Sequence, residues 1–407
     1  MTKNKNTPKL RFPEFSEEWK NGIIGDISDN IMAGATPSTS VQEFWKNGSI
    51  PWLSSGEVNK RIIFETNNFI TKKGFDSSST KMVPKNSVLI GLAGQGKTRG
   101  TVAINKIELC TNQSIASIIV NNKAHYKFIF YALFKKYGEL RVLSSSGSGR
   151  GGLNLKLVKS FKIKFSSFEE QEKIAIFLSK VDEKISLLED KLNYFEDFKK
   201  FCMQQLFARK LRFKNAKGEN YPDWEEKRLC DIGSIITGNT PPTKNINNYM
   251  GGKYLWVTPT DINNSKVINK TERLLSDEGL KNGRKIPENS LLVTCIASIG
   301  KNCIIKEKCS CNQQINAITP YKGTDLDFLY YLIEKNNAKL KQYAGITATP
   351  ILNKTSFEKL NFLFPEFNEQ QILSKFLTSI DEKIEKLNFE LENIKKFKKG
   401  LLQQMLI

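Results

Sequence analysis

The 407 residues suffice for two hydrophobic cores, and 26 Phe among many aliphatic residues exclude a disordered chain. A net charge of +20 favours a polyanionic partner, nucleic acid above all, while a single His excludes most His-based acid–base or triad chemistry. Seven irregularly spaced Cys read as reduced thiols. No apolar run is long enough for a bilayer and the polar start, Met1 to Asn6, has no signal-peptide character, so a cytoplasmic protein without membrane contact is expected.

In chain order, Lys9-Leu10-Arg11-Phe12 and Trp19 lead into Asp26-Ile27 and the loop Thr36-Pro37-Ser38. Short runs rich in β-branched residues follow at Lys60–Phe64, Ser87–Leu92 and Ser114–Val120, separated by turn residues, and predict strands. Tyr126–Tyr137 predicts a helix. Gly91-Leu92-Ala93-Gly94-Gln95-Gly96-Lys97-Thr98 fits the P-loop pattern letter by letter. A P-loop needs a helix next, whereas Arg99-Gly100-Thr101-Val102-Ala103-Ile104 reads as a turn and strand, so Lys97 and Arg99 are expected to face DNA phosphate instead. The glycine-rich loop 144–152 places Arg150 where it would reach a guanine edge or a phosphate. Thr36, Ser38, Lys60 and Arg61 complete the DNA-binding candidates of this half.

The pattern is then written again, always in the same order. Lys210-Leu211-Arg212-Phe213, Trp224, Asp231-Ile232 and Thr240-Pro241 repeat the opening motifs. Pro51-Trp52-Leu53-Ser54 with Glu57 returns as Leu255-Trp256-Val257-Thr258 with Asp261; Gly96-Lys97, Asn112-Gln113 and Leu153-Asn154 return as Gly300-Lys301, Asn312-Gln313 and Leu352-Asn353. Ser290–Ile296 predicts a strand and Leu326–Gln342 a helix. The candidates for DNA contact here are Thr240, Thr243, Lys244, Arg284, Lys301, Thr347 and Thr349. Cys295, Cys303, Cys309 and Cys311 crowd together without the paired two-residue gaps of a zinc knuckle, so ordinary thiols and no metal are expected.

Each copy ends in a long amphipathic segment. Ile174, Leu178, Val181, Ile185, Leu188, Leu192 and Phe195 step by fours and threes, as do Leu373, Leu377, Ile380, Ile384, Leu387, Leu391 and Ile394. That spacing makes a narrow coiled-coil seam on helices of roughly 60 Å. The short connection after the first helix favours antiparallel pairing, with the globular parts at opposite ends and the chain termini close. The segments Glu169–Lys210 and Glu366–Ile407 together carry a net −1, so the positive field belongs to the globular parts. The expected fold is α+β, two homologous strand-rich domains (1–167 and 211–365) separated by two long antiparallel coiled-coil helices (168–210 and 366–407) in a pseudo-twofold repeat.

These motifs closely resemble those of the specificity (S) subunits of type I restriction–modification systems: Trp19 and Trp224, the two Thr-Pro loops, the strand ends at Ser54–Glu57 and Thr258–Asp261, the Leu-Asn pairs, and the Glu-Gln and Asp-Glu-Lys-Ile helix motifs. The resemblance covers nearly the whole chain; its specific feature is the duplicated order rather than any single motif. It implies two target-recognition domains reading the halves of a split double-stranded DNA site, with the helices setting the spacer. It also implies that the helices dock two methyltransferase subunits using S-adenosylmethionine, with restriction/translocase subunits using ATP and Mg joining them. No cofactor is expected on this chain. An adenine methyltransferase needs an Asn/Asp-Pro-Pro-aromatic loop, and Asn239-Thr240-Pro241-Pro242-Thr243 interrupts it. A standalone P-loop ATPase or nuclease, and a coiled-coil adaptor that reads no bases, remain the alternatives.

Overall fold

The computed structural model describes residues 6–94, 98–145, 152–263, 265–344 and 350–407. It divides into two compact units, residues 1–189 with 390–407, and residues 190–389.

In the first unit a five-stranded sheet runs in the order Ser28–Ala33, Ile115–Val120, Val88–Gly91, Val102–Asn105, Ile62–Ile63. Its pairs are antiparallel except the last. The central strands are apolar at nearly every position because both faces are covered. Alternation then sorts their side chains. Val88, Ile90, Val102, Ile104 and Ile118 face the core formed with the helix Tyr126–Lys135. Leu89, Ala103 and Ile115 join Leu53, Val58, Ile63, Val83 and Leu109 in a second core. That core lies towards a four-stranded sheet ordered Asn68–Ile70, Ile50–Leu53, Leu109–Thr111, Met82–Val83. A further pair, Lys20–Ile23 with Lys162–Phe165, precedes the long helix.

The second unit repeats this plan. Its five-stranded sheet runs Gly233–Thr237, Ile315–Pro320, Ser290–Thr294, Asn302–Ile305, Val267–Ile268. Leu291, Val293, Ile304 and Ile318 pack with the helix Leu326–Lys335, while Leu292, Cys303 and Ile305 face a second core. Cys309 and Cys311 sit in that second core too, where burial pushes the Cys309 thiol up to about 12. These cysteines act as small apolar side chains.

Several predicted elements are shorter than their sequence pattern. The run Lys60–Phe64 keeps only Ile62–Ile63 as strand, because Ser55–Lys60 forms a 3₁₀ turn closed by Ser54 and Glu57, and Arg61 has φ +65°. The predicted helix Tyr126–Tyr137 breaks at Lys136, and a second helix, Tyr137–Ser145, continues from there. The P-loop-like segment leads from Val88–Gly91 into the antiparallel strand Val102–Asn105, with no helix following it.

The two long helices are Phe168–Phe207 and Phe367–Met405. In the first unit Ile174, Leu178 and Val181 share one core with Leu401, Leu402, Met405 and Leu406, and Ile185 lies at its margin. In the second, Leu373, Leu377 and Ile380, with Ile384 at the margin, share a core with Cys202, Met203 and Leu206. The first turns of each stripe therefore complete a domain core as well as meeting the other helix. Leu188, Leu387 and Leu391 are buried without belonging to a domain core, and Leu192 is half-buried. Within the first unit Lys395 bonds Glu189 at 2.6 Å and Lys398 bonds Asp182, so the packed segments run antiparallel. Among the described residues no helix is long and apolar enough to cross a membrane.

Candidate nucleic-acid interface

The duplicated motifs first reveal themselves as fasteners. Arg11 grips the buried Glu170 through two hydrogen bonds of 2.7 and 2.8 Å, and Arg212 grips Glu369 at 3.1 and 3.0 Å. Gln171 accepts from the His125 N–H at 3.0 Å and donates to the Ser166 carbonyl at 2.8 Å. Gln370 does the same with Asp325 and Pro365, at 2.8 and 2.9 Å. Each Glu-Gln pair thus ties the start of a long helix to the arm and the domain helix of its own unit.

The Asp-Glu-Lys-Ile and Phe-Lys-Lys motifs meet one another. Tyr131 donates to Asp182 at 2.7 Å, and Asp182 also pairs with Lys398. In the second unit Tyr331 donates to Asp381 at 2.5 Å, and Lys199 pairs with Asp381 at 2.9 Å. The helices exchange roles between these networks: aspartate and lysine swap partners. Burial opposes the charge on Lys199, but Glu334 and Asp381 outweigh it and raise its pKa.

The loops beside the ends of the strands Leu109–Thr111 and Ser310–Cys311 repeat a second device. An added Cβ on Gly34 would stand 1.8 Å from the Thr111 carbonyl oxygen, and one on Gly238 2.2 Å from that of Cys311. Only glycine lets these loops lie so close to the strand ends. Trp52 Nε1 donates to the Ala35 carbonyl at 3.1 Å, and Trp256 Nε1 to that of Asn239 at 3.4 Å. The next residue, Thr36 or Thr240, donates its hydroxyl to Gln113 Oε1 at 2.6 Å or Gln313 Oε1 at 2.7 Å. All four side chains belong to exposed residues.

The structure sorts the sequence-derived candidates into groups. Ser38 joins the first Thr-Pro loop, its carbonyl accepting from Trp45 Nε1 at 3.1 Å. Arg284 joins the second: its N–H donates to Asn239 Oδ1 and its Nη1 to the Thr237 carbonyl at 2.8 Å. Thr243 and Lys244 are exposed on the same segment. Lys60 and Arg61 lie elsewhere. Lys60 pairs with Glu57 at 3.1 Å, and the Arg61 guanidinium lies 4.3 Å from the Phe134 ring centroid. Both line a cavity of about 780 Å³ with Asp182, Lys395 and Lys398. Lys301 is exposed at the corresponding cavity of the second unit, about 420 Å³, beside Lys199 and Glu334. Arg99 is half-buried with no hydrogen-bond partner for Nε among the described residues. Lys97, Arg150, Thr347 and Thr349 lie outside the described residues. Sequence reading gave Asn112-Gln113 and Asn312-Gln313 only as recurring motifs and missed the partners of Gln113 and Gln313, because the Thr–Gln bond exists only in space. It also missed Lys266, whose Nζ donates to Thr378 Oγ1 at 2.6 Å and pairs with Asp327 at 2.7 Å.

A basic chain with twin strand-rich domains, long helices locked in pairs and exposed polar loops is a duplicated recognition scaffold. The model for the type I restriction modification DNA specificity domain matches residues 16–196 and 221–396, and the chain belongs to that family. It is 31% identical over 191 residues to the type I restriction enzyme MjaIX specificity subunit of Methanocaldococcus jannaschii, covering 46% of this chain and 44% of that one. To the EcoR124I/EcoR124II specificity subunit of Escherichia coli it is 30% identical over 175 residues, 42% of this chain and 43% of that one. These matches thus span less than half the length of either relative. The MjaVIII specificity subunit of M. jannaschii matches at 24% identity over 99% of this chain and 96% of its own. The fold is similar to the crystal structure of a type I S subunit from M. genitalium, with TM-score 0.67 and 16% identity, over 98% of this chain and 99% of that one. An HsdS subunit from Thermoanaerobacter tengcongensis gives TM-score 0.51 at 14% identity, over 97% and 98%.

Proposed function

We propose that this chain is the DNA-reading subunit of a type I restriction–modification complex, each unit reading one half of a split site. The carrying observation is the repeated Gly-x-Thr-Pro loop with its Gln partner, an exposed polar device present in both units of a strongly basic chain. Bases are read by the residues that differ around these loops, such as Ser38 against Pro242. In this reading the long helices fix the half-site spacing and seat two methyltransferase subunits, which bring S-adenosylmethionine, with restriction/translocase subunits supplying ATP-driven work. This chain contributes recognition and no chemistry. Lys97, Arg150, Thr347 and Thr349 belong to the proposed reading surface, as do Arg99, Thr243, Lys244 and Arg284.

Methylome sequencing of cells with and without this gene tests the reading. A split adenine-methylated motif should appear only when the gene is present; an unchanged methylome would overturn it. DNA protection in its partner's presence distinguishes it from an adaptor, and ATP turnover or cleavage by the single chain would favour the enzyme alternative.

A further inference from the structure

We propose that the side-chain amides of Gln113 and Gln313 donate to backbone phosphates of DNA, one in each half-site, seating each unit before its bases are read. The inference rests on the two-half reading above. Each glutamine stands on a tight turn in which Asn112 or Asn312 accepts, through its side-chain oxygen, the N–H two residues on at 3.1 Å. The N–H of Asn112 is itself bonded to the Leu53 carbonyl at 3.1 Å, and that of Asn312 to Val257 at 3.0 Å. Facing each turn is a loop that its glycine presses against the strand end and its tryptophan holds from beneath. Thr36 and Thr240 occupy Oε1 of the two glutamines, leaving both Nε2 donors unpartnered among the described residues.

Folding gains little from this arrangement. Water competes for an exposed neutral hydrogen bond, and ordering a glutamine loses side-chain entropy. A pre-oriented donor is instead what a binding contact requires. The surroundings decide which contact. Trp45 faces Trp52 where Tyr249 faces Trp256, Lys81 stands where the second unit has Arg284, and Ser38 where it has Pro242. One unchanged device among changed neighbours, set against two different base sequences, suits the part of DNA that does not vary. That part is the phosphate backbone.

The test uses the complex of this chain with its methyltransferase subunits, carrying Gln113→Ala or Gln313→Ala. Affinity is measured on duplexes bearing the methylated motif and on single-base variants of it, across a range of salt concentrations. We expect binding weakened about tenfold by either substitution. The factor should be the same for every sequence variant and the salt slope unchanged, because a neutral amide displaces no counterion. Thr36→Val should give a smaller loss of the same pattern. Relaxed preference at one base pair would overturn the proposal in favour of base reading, and unchanged affinity would reduce the pair to a loop tie. A wild-type complex without preference for a split site would overturn the functional reading itself. The wild-type-to-variant ratio on any duplex would still decide the amide contact.

Discussion

At the scale of single residues, the repeated polar motifs of this chain hold buried charge in place. Glu369 is fully buried and accepts from Arg212 and, at 3.1 Å, from Trp224 Nε1. Removing the guanidinium strands a carboxylate away from water. Arg212→Ala should therefore cost about 3 kcal/mol in urea unfolding, and Arg212→Met with Glu369→Leu should recover much of it. Glu57 behaves differently with pH. Burial works against its ionisation, but the Asn67 N–H, Lys60 and the Ser54 N–H together hold its carboxyl below the usual range. A depressed carboxyl contributes stability above its unfolded value, about 4.3, and loses it as pH falls through the lower folded value. Glu57→Gln should lower the urea midpoint at neutral pH, and the gap to wild type should close on acidification.

At the scale of elements, the paired Asp–Lys–Tyr networks explain why two motifs recur together in both halves. Each aspartate needs a lysine from the opposite helix, so a one-heptad slip of the packed segments within a unit breaks that unit's network. Asp182→Lys alone should destabilise by about 3 kcal/mol, since it places two cations beside Tyr131 and leaves Lys398 unpaired. Adding Lys398→Asp should restore more than half of that loss in a double-mutant cycle by thermal or urea unfolding. Strict additivity of the two changes would show that the pair carries no coupling.

At the scale of the whole molecule, the segments Glu169–Lys210 and Glu366–Ile407 carry a net −1, so of the chain's +20 the rest of the chain carries +21. On the proposed function, electrostatic attraction to DNA arises from the domains, and the helices act as a spacer. Leu188, Leu192, Leu387 and Leu391 belong to no domain core, so extra turns beside them leave both cores intact. Inserting one heptad after Leu188 together with one after Leu391 should lengthen the unread spacer of the methylated motif and preserve the bases read, as methylome sequencing would show. An unchanged spacer would mean that these helices do not set it.

The duplication, the α+β class and the two long helices were legible in the sequence because each rests on local periodicity or repeated order. Exposed loop residues such as Thr36, Ser38 and Thr240 were legible as candidates for the same reason: Thr-Pro turns announce themselves along the chain. The networks Tyr131–Asp182–Lys398 and Tyr331–Asp381–Lys199, the grip of Arg11 on Glu170, and the Thr36–Gln113 bond required the tertiary structure. Their partners lie dozens to hundreds of residues apart. A motif read along the chain shows which groups are available; only packing decides which of them meet, and so which charges are spent on the fold and which remain exposed.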